Sequence, residues 1–160
     1  MLSGLSRLPP NYAKLLYNIT DDDLERFVTD WVSTLEAEYP GGYDRFSGPG
    51  DMGSDVVGYL TKQRLDYGWH NYQCKQLKRP LDHGGVLLEL GKIFFHSAQG
   101  HFGLPENMYF VAPRGVSRTA KAFESKPSAL GTALIDQWTK IALGRSKRVN
   151  TILLMASCAS

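Results

Sequence analysis

Apolar residues early in this chain recur three or four positions apart, as they do on one face of an α-helix. The positions are Leu24, Phe27, Val28, Trp31 and Leu35. Thr20 precedes three aspartates, so it is the expected N-cap, and the aspartates suit the positive end of the helix dipole. The pattern therefore predicts a first helix that starts at Thr20 and ends near Tyr39, before Pro40.

After this helix, short apolar runs separated by glycine, proline and polar residues are typical of strands, and longer amphipathic stretches are typical of helices. The predicted strands are 43–47, 55–61, 69–76, 109–112 and 151–155, and the later predicted helices are 84–97, 117–124 and 128–143. The fourth strand is expected to be buried, and the second and third are expected to be joined by a polar, hairpin-like connection. Strands flanked by helices predict an α/β fold around a mixed central sheet.

The bulk properties fit one folded domain at 20–160, preceded by an irregular arm at 1–19. The chain has 160 residues and is 42% hydrophobic, which is enough for a core. Its net charge of +2 neither requires nor excludes a nucleic-acid partner. Two cysteines, Cys74 and Cys158, make no disulfide framework, and we see neither a secretion signal nor a bilayer-spanning run. We therefore expect a reduced, cytoplasmic protein with no membrane partner.

Candidate chemistry lies on the second and third predicted strands. Side chains alternate faces along a strand, so Asn71, Gln73 and Lys75 share one face. Asp55 begins the neighbouring strand, and its carboxylate suits a hard cation such as Mg²⁺, as does the carbonyl oxygen of Gln73. The ammonium of Lys75 can stabilise charge that develops on a phosphate. Together these residues predict a metal-dependent phosphodiesterase site.

An aspartate after a glycine-rich approach, followed by Gln-x-Lys on the next strand, resembles the PD-(D/E)xK nuclease superfamily, and within it the Mrr-like restriction endonucleases. The residues concerned are Gly50, Asp51, Gly53, Asp55, Gln73 and Lys75. The resemblance implies a restriction-endonuclease-like mixed sheet flanked by helices, with 20–160 as the nuclease domain. It implies a DNA endonuclease that uses Mg²⁺ or Mn²⁺ in defence against phage or other foreign DNA. Gln73 stands where many members have an acid, which favours one metal ion over two.

The resemblance also implies an acid from the first helix, and Glu25 is the best positional match for it. The aspartates at 21–23 could instead serve only the helix dipole. Asp51 is the alternative to Asp55 as principal ligand, although an aspartate in a glycine-rich loop most often makes a turn. The expected catalytic set is therefore Asp55, Gln73 and Lys75 supported by Glu25, with metal contacts from Asp55, Gln73 and Glu25.

Cations that follow predicted strands could hold DNA phosphates without reading bases, or could be ordinary surface charge. They are Lys78, Arg79 and Arg114. The resemblance also allows a homodimer for cutting both strands, and a sensor or recognition domain or subunit. The alternative function is a catalytically inactive nuclease-like module that binds nucleic acid or a protein partner. A zinc site at His96 and His101 would lack a neighbouring cysteine pair.

Overall fold

The computed structural model describes residues 12–48 and 52–144. The chain forms, in order, α1 (Asp21–Ser33), β1 (Tyr43–Arg45), β2 (Val56–Tyr59), β3 (Trp69–Cys74), α2 (His83–Ala98), β4 (Asn107–Val111), α3 (Arg118–Ser125) and α4 (Pro127–Gly144). Short 3-10 helices occupy Tyr12–Asn18 and Arg64–Asp66. The first of these falls in the segment that was expected to be irregular, and the strand predicted at 151–155 lies outside the described residues. Within the described ranges, no helix has the length and apolarity needed to cross a bilayer.

The four strands form one mixed sheet in the order β1-β2-β3-β4. The β1–β2 and β2–β3 pairs are antiparallel, and β3 pairs with β4 in parallel. Because a parallel pair needs a long crossover, α2 lies between β3 and β4 in the chain. The predicted α/β class and mixed sheet are confirmed.

Helix α1 begins where the sequence predicts but ends earlier than predicted. The Thr20 hydroxyl accepts from the Asp23 amide, and the Asp23 carboxylate accepts from the Thr20 amide, which is a complete capping box. The helix ends at Ser33 rather than near Tyr39. The hydroxyls of Ser33 and Thr34 donate to backbone carbonyls of the preceding turn, and such local bonds favour helix ends over helix interiors. Turns fill the remaining distance to Tyr39.

The buried stripe of α1 is narrower than the predicted one. Leu24, Val28 and Val32 are buried, whereas Phe27 and Trp31 are about half exposed. The three buried residues are spaced four positions apart and form one row of side chains that packs on the sheet. Phe27 and Trp31 lie beside that row, so they are only partly covered.

Strand β4 is only partly buried, so the prediction of a buried strand was wrong. It pairs with β3 and is an edge strand of the sheet. Its outer side lacks a further strand in the described fold, and Tyr109 is 41% exposed.

The sheet has a separate core on each face, because neighbouring residues on each strand point in opposite directions. On the α1 face the buried residues are Leu24, Val28, Val32, Tyr39, Val56, Tyr72 and Cys74. On the α2 face they are Val57, Tyr59, Trp69, Ile93 and Phe102. Gln73 and Lys75 alternate with Tyr72 and Cys74, so they belong to the α2 face.

Gly58 of β2 allows the Tyr39 ring to lie directly on the sheet. A Cβ at residue 58 would lie 2.6 Å from ring carbons of Tyr39. The Tyr39 hydroxyl is bonded to the Tyr72 hydroxyl and lies 3.0 Å from Nδ1 of His70. Because glycine has no side chain, Gly58 leaves room for this buried hydrogen-bonded cluster.

Gly58→Ala should destabilise the protein by about 2 kcal/mol, because the added methyl must displace a buried ring. Urea denaturation measures the change. Gly131→Ala is the matched control, since Gly131 lies in α4 with no atom within 4 Å of its would-be Cβ, and alanine there should be neutral or slightly stabilising. Equal stability of the two variants would contradict the close packing at Gly58.

Candidate functional site

The Asp55 carboxylate joins the start of β2 to the end of β3. Val56 pairs with Tyr72, so the same register continued by one residue sets Asp55 opposite Gln73. Oδ2 of Asp55 accepts hydrogen bonds from Nε2 of Gln73 at 2.7 Å and from the backbone amide of Cys74 at 2.7 Å. Asp55 is buried, with 7% of its surface exposed. The structure thus brings together the predicted aspartate and glutamine, while the alternative Asp51 lies outside the described residues.

Gln73 and two residues close to this pair in the chain carry buried oxygens without hydrogen-bond partners. Among the described residues, Oε1 of Gln73, Oδ1 of Asn71 and Oγ of Ser54 are buried and have none. An unsatisfied buried acceptor costs about 1–3 kcal/mol, which a bound cation or an ordered water would recover. Asp55 and Gln73 are oxygen donors of the kind that Mg²⁺ takes from proteins, so they fit one hydrated hard cation.

Lys75 lies just beyond β3 and is held by a buried carboxylate. Its Nζ lies 3.2 Å from Oε1 of Glu89, which is 5% exposed. Nζ of Lys92 lies 3.0 Å from the other oxygen of the same carboxylate. A strand-end lysine that is mostly removed from water is costly unless it has a partner, and Glu89 is that partner.

Glu89 and Lys92 are site residues that the sequence reasoning missed. Glu89 lies three positions after the buried Val86 and four before the buried Ile93, so it lies on the apolar stripe of α2. A glutamate on a buried stripe was the available signal. Gly53 allows the Lys92 turn of α2 to pack closely against the loop before β2. A Cβ at Gly53, whose φ is +85°, would lie 2.9 Å from Cβ of Lys92.

Glu25 is engaged elsewhere, on the α1 face. Its Oε2 accepts from Nε and Nη2 of Arg45 at 3.2 and 2.9 Å, and Asp22 contacts the same guanidinium. The contacts of the described residues do not join Glu25 to Asp55 or Gln73.

The three predicted phosphate-binding cations have different surroundings. Lys78 and Arg79 are exposed, and Arg79 lies 3.6 Å from the carboxylate of Asp82. Arg114 is partly buried, with its guanidinium 4.5 Å from the centre of the Tyr17 ring and Nη2 bonded to the Tyr17 carbonyl. Arg114 therefore fastens the first 3-10 helix to the fold, whereas the other two are available to solvent.

The described residues contain no group of three or more histidines, cysteines, aspartates or glutamates placed to hold a metal ion. The rings of His96 and His101 lie 5.5 Å apart as an isolated pair within that part of the chain. Any cation at Asp55 would accordingly depend on amide oxygen and water as well as carboxylate oxygen.

No protein-family model, curated protein or solved structure matches this chain.

The Cys74 thiol should resist alkylation in the native protein. Burial raises its pKa from 9.0 to about 12, and the Asp55 and Glu25 carboxylates add to that shift. Because the folded pKa is above the unfolded one, the neutral thiol contributes stability below about pH 9 that is lost as the pH rises toward 12. Iodoacetamide at about pH 8 should leave Cys74 of a Cys158→Ser variant unmodified until the chain is unfolded.

The control for this measurement is the same Cys158→Ser variant unfolded in urea, in which the exposed Cys74 thiol should be alkylated rapidly. Rapid modification of Cys74 in the folded protein would show that the thiol is not in the environment described.

The Lys75–Glu89 pair should be coupled more strongly than the Lys92–Glu89 pair. The Lys75 side chain is 22% exposed and that of Lys92 is 45% exposed, so water screens the second pair more. Double-mutant cycles with Lys75→Met, Lys92→Met and Glu89→Gln should give coupling energies of about 1–2 kcal/mol and below about 1 kcal/mol respectively, measured by urea denaturation. Equal values would place Lys75 in a more solvated position than its geometry indicates.

Proposed function

We propose that this chain is a Mg²⁺-dependent DNA endonuclease of the PD-(D/E)xK type that acts in defence against foreign DNA. The observation that carries the proposal is the buried polar cluster at the end of β3, where the Asp55 carboxylate lies beside Gln73 and the ammonium of Lys75 is held by Glu89. Mn²⁺ is the natural substitute for Mg²⁺, since both prefer oxygen ligands.

Asp55 and Gln73 are the residues that would hold the cation. The Asp55 carboxylate offers negative charge, and the Gln73 amide oxygen lacks a hydrogen-bond partner among the described residues. When bound, such a cation lowers the pKa of a water molecule and draws negative charge from a phosphate. One carboxylate with one neutral amide favours a single metal ion.

Lys75 is the residue that would contact the reacting phosphate. Its side chain is 22% exposed, so its ammonium is held by Glu89 while remaining accessible from solvent. A cation kept in place before the reaction stabilises charge that develops on phosphate oxygens without the cost of reorganising. Glu89 acts here as a positioning residue, because it orients Lys75.

The DNA backbone would be held by exposed cations near this end of the sheet. Lys78 and Arg79 lie three and four residues after Lys75 in the chain, and Lys92 shares Glu89 with Lys75. Such contacts supply affinity that falls with salt and does not depend on base sequence. Arg114 contributes least to this surface, because its guanidinium is packed on Tyr17.

The proposed cellular setting is based on the thiol of Cys74. The buried free thiol of Cys74 suits a reducing compartment, so we place the activity in the cytoplasm. Cutting both strands would be served by two copies of the chain, and a sensor or recognition partner would supply control.

The alternative is a nuclease-like fold that binds nucleic acid or a protein without turnover. One observation favours it: Oδ2 of Asp55 already accepts two hydrogen bonds, from a side chain and from the backbone, which is what a purely structural carboxylate does. The two functions differ in one measurable property, the cleavage of DNA.

Supercoiled plasmid incubated with the protein and Mg²⁺ or Mn²⁺ should be nicked or linearised, and Lys75→Ala and Asp55→Asn should each slow this by about 100-fold or more. Glu25→Gln should have a smaller effect, because Glu25 is committed to Arg45. Calorimetry should show weaker Mg²⁺ binding by Asp55→Asn and unchanged binding by Lys75→Ala. Gel analysis over time gives the rates.

Lys62→Ala is the matched control, because Lys62 is an exposed cation in the connection at the opposite end of the β2–β3 hairpin. It should cleave at the wild-type rate. Wild-type protein that shifts DNA in a gel yet leaves it intact with both metals would establish the binding module instead.

A further inference from the structure

A cavity of about 360 Å³ opens between α1 and β4, on the face of the sheet opposite Gln73 and Lys75. Its lining residues are Trp31, Leu35, Glu38, Tyr72, Tyr109 and Val111. Three are aromatic, two are aliphatic, and one carries a carboxylate. A space of this size lies within the range of small-ligand sites.

The aromatic rings form a wall with fixed geometry. Trp31 meets Tyr72 edge to face, with ring centres 5.5 Å apart and planes at 86°. Tyr109 stacks on Tyr72 at 4.9 Å and 19°. Tyr72 is 4% exposed, whereas Trp31 and Tyr109 are each more than 40% exposed. The inner ring is therefore held by the core, and the two outer rings are partly accessible to solvent.

The base of this wall is anchored by hydrogen bonds. The Tyr72 hydroxyl is bonded to the hydroxyl of Tyr39, which in turn lies 3.0 Å from Nδ1 of His70. Nε2 of His70 lies 3.0 Å from the side-chain nitrogen of Asn107. These contacts join the segment after α1 to β3 and β4 beside the cavity, so its inner wall is fixed before any ligand arrives.

The electrostatic character of the cavity is negative. Glu38 supplies a carboxylate that is 48% exposed, and the six lining residues include neither lysine nor arginine. The titratable groups facing Glu38 are His70, whose Nδ1 lies 3.8 Å from Oε1 of Glu38, and the phenols of Tyr39 and Tyr72. Burial raises the pKa of both phenols, and the Glu38 charge raises each further, so the phenols stay neutral.

We propose that this cavity binds an organic cation, an ammonium or guanidinium group carried on an apolar body. Aromatic faces attract cations through their quadrupole, and the attraction increases when the site is partly desolvated. Glu38 neutralises the bound charge, while Leu35 and Val111 contact the apolar body. A phosphate or carboxylate would be repelled by Glu38, so this site is distinct from the proposed nuclease centre and does not depend on it.

Choline and its neutral isostere 3,3-dimethylbutan-1-ol form the sharpest pair of probes, because they differ in charge and hardly in shape. Choline should shift the indole N–H signal of Trp31 in ¹⁵N-resolved NMR spectra, with about tenfold tighter binding than the neutral compound. Trp69 and Trp138 lie outside the cavity lining, so their indole signals serve as internal references. Trp31→Phe assigns the signal.

Glu38→Gln should weaken choline binding about fivefold or more while leaving the neutral compound unaffected, because it removes charge and keeps shape. Glu36→Gln is the matched control, since Glu36 is exposed, lies in the same turn and is not among the lining residues. Equal affinity for the two probes, insensitivity to Glu38→Gln, or shifts at Trp69 or Trp138 without one at Trp31 would each overturn the proposal.

Discussion

The two hydrogen bonds to the Asp55 carboxylate are the constraint on which the rest of this structure depends. A carboxylate removed from water costs several kcal/mol unless it is satisfied, and here a backbone amide and a side-chain amide from β3 satisfy one of its oxygens. Those bonds form in only one pairing of β2 with β3. A slip of one residue would turn every side chain of the slipped strand to the opposite face. The carboxylate therefore sets the register that decides which face each residue of β3 occupies.

That register separates two chemically different surfaces. Gln73 and Asn71 lie on the α2 face, where Gln73 donates to Asp55 and Asn71 donates to the Gly53 carbonyl. On the same face Glu89 of α2 holds Lys75 and Lys92. Tyr72, between them in the chain, points toward α1 and carries the aromatic cavity. The polar cluster and the cavity are consequently two outcomes of one strand pairing. A change that loosens β2 against β3 would disturb both, whereas a change confined to Glu38 or Glu89 would disturb one.

Local signals predicted most of the elements and the shared face of Gln73 and Lys75. Thr20 and Asp23 act within one turn, so the start of α1 follows from sequence, and period-two alternation sets Gln73 and Lys75 on one face of the sheet. Long-range contacts were not predictable in the same way. The burial of Val32 in place of Trp31 depends on the sheet beneath α1, and the exposure of β4 depends on its position at the edge. Glu25 was assigned to the candidate site from its place on α1. Its ion-pair partner, Arg45, lies on β1, and that long-range contact was not predictable from the helix pattern.

Glu89 and Gln73 bear on whether the polar cluster serves the fold alone. A core built for stability would replace such groups with apolar side chains, since a well-packed hydrophobic substitute for a buried ion pair is often neutral or stabilising. This core instead keeps Glu89 on an apolar helical stripe, where its partner Lys75 remains in reach of solvent, and leaves Oε1 of Gln73 without a hydrogen bond among the described residues. Buried polar groups that lack a compensating contact inside the fold are expected at functional sites. This pattern supports the proposal that a hydrated metal ion and a phosphodiester would bind at the end of β3.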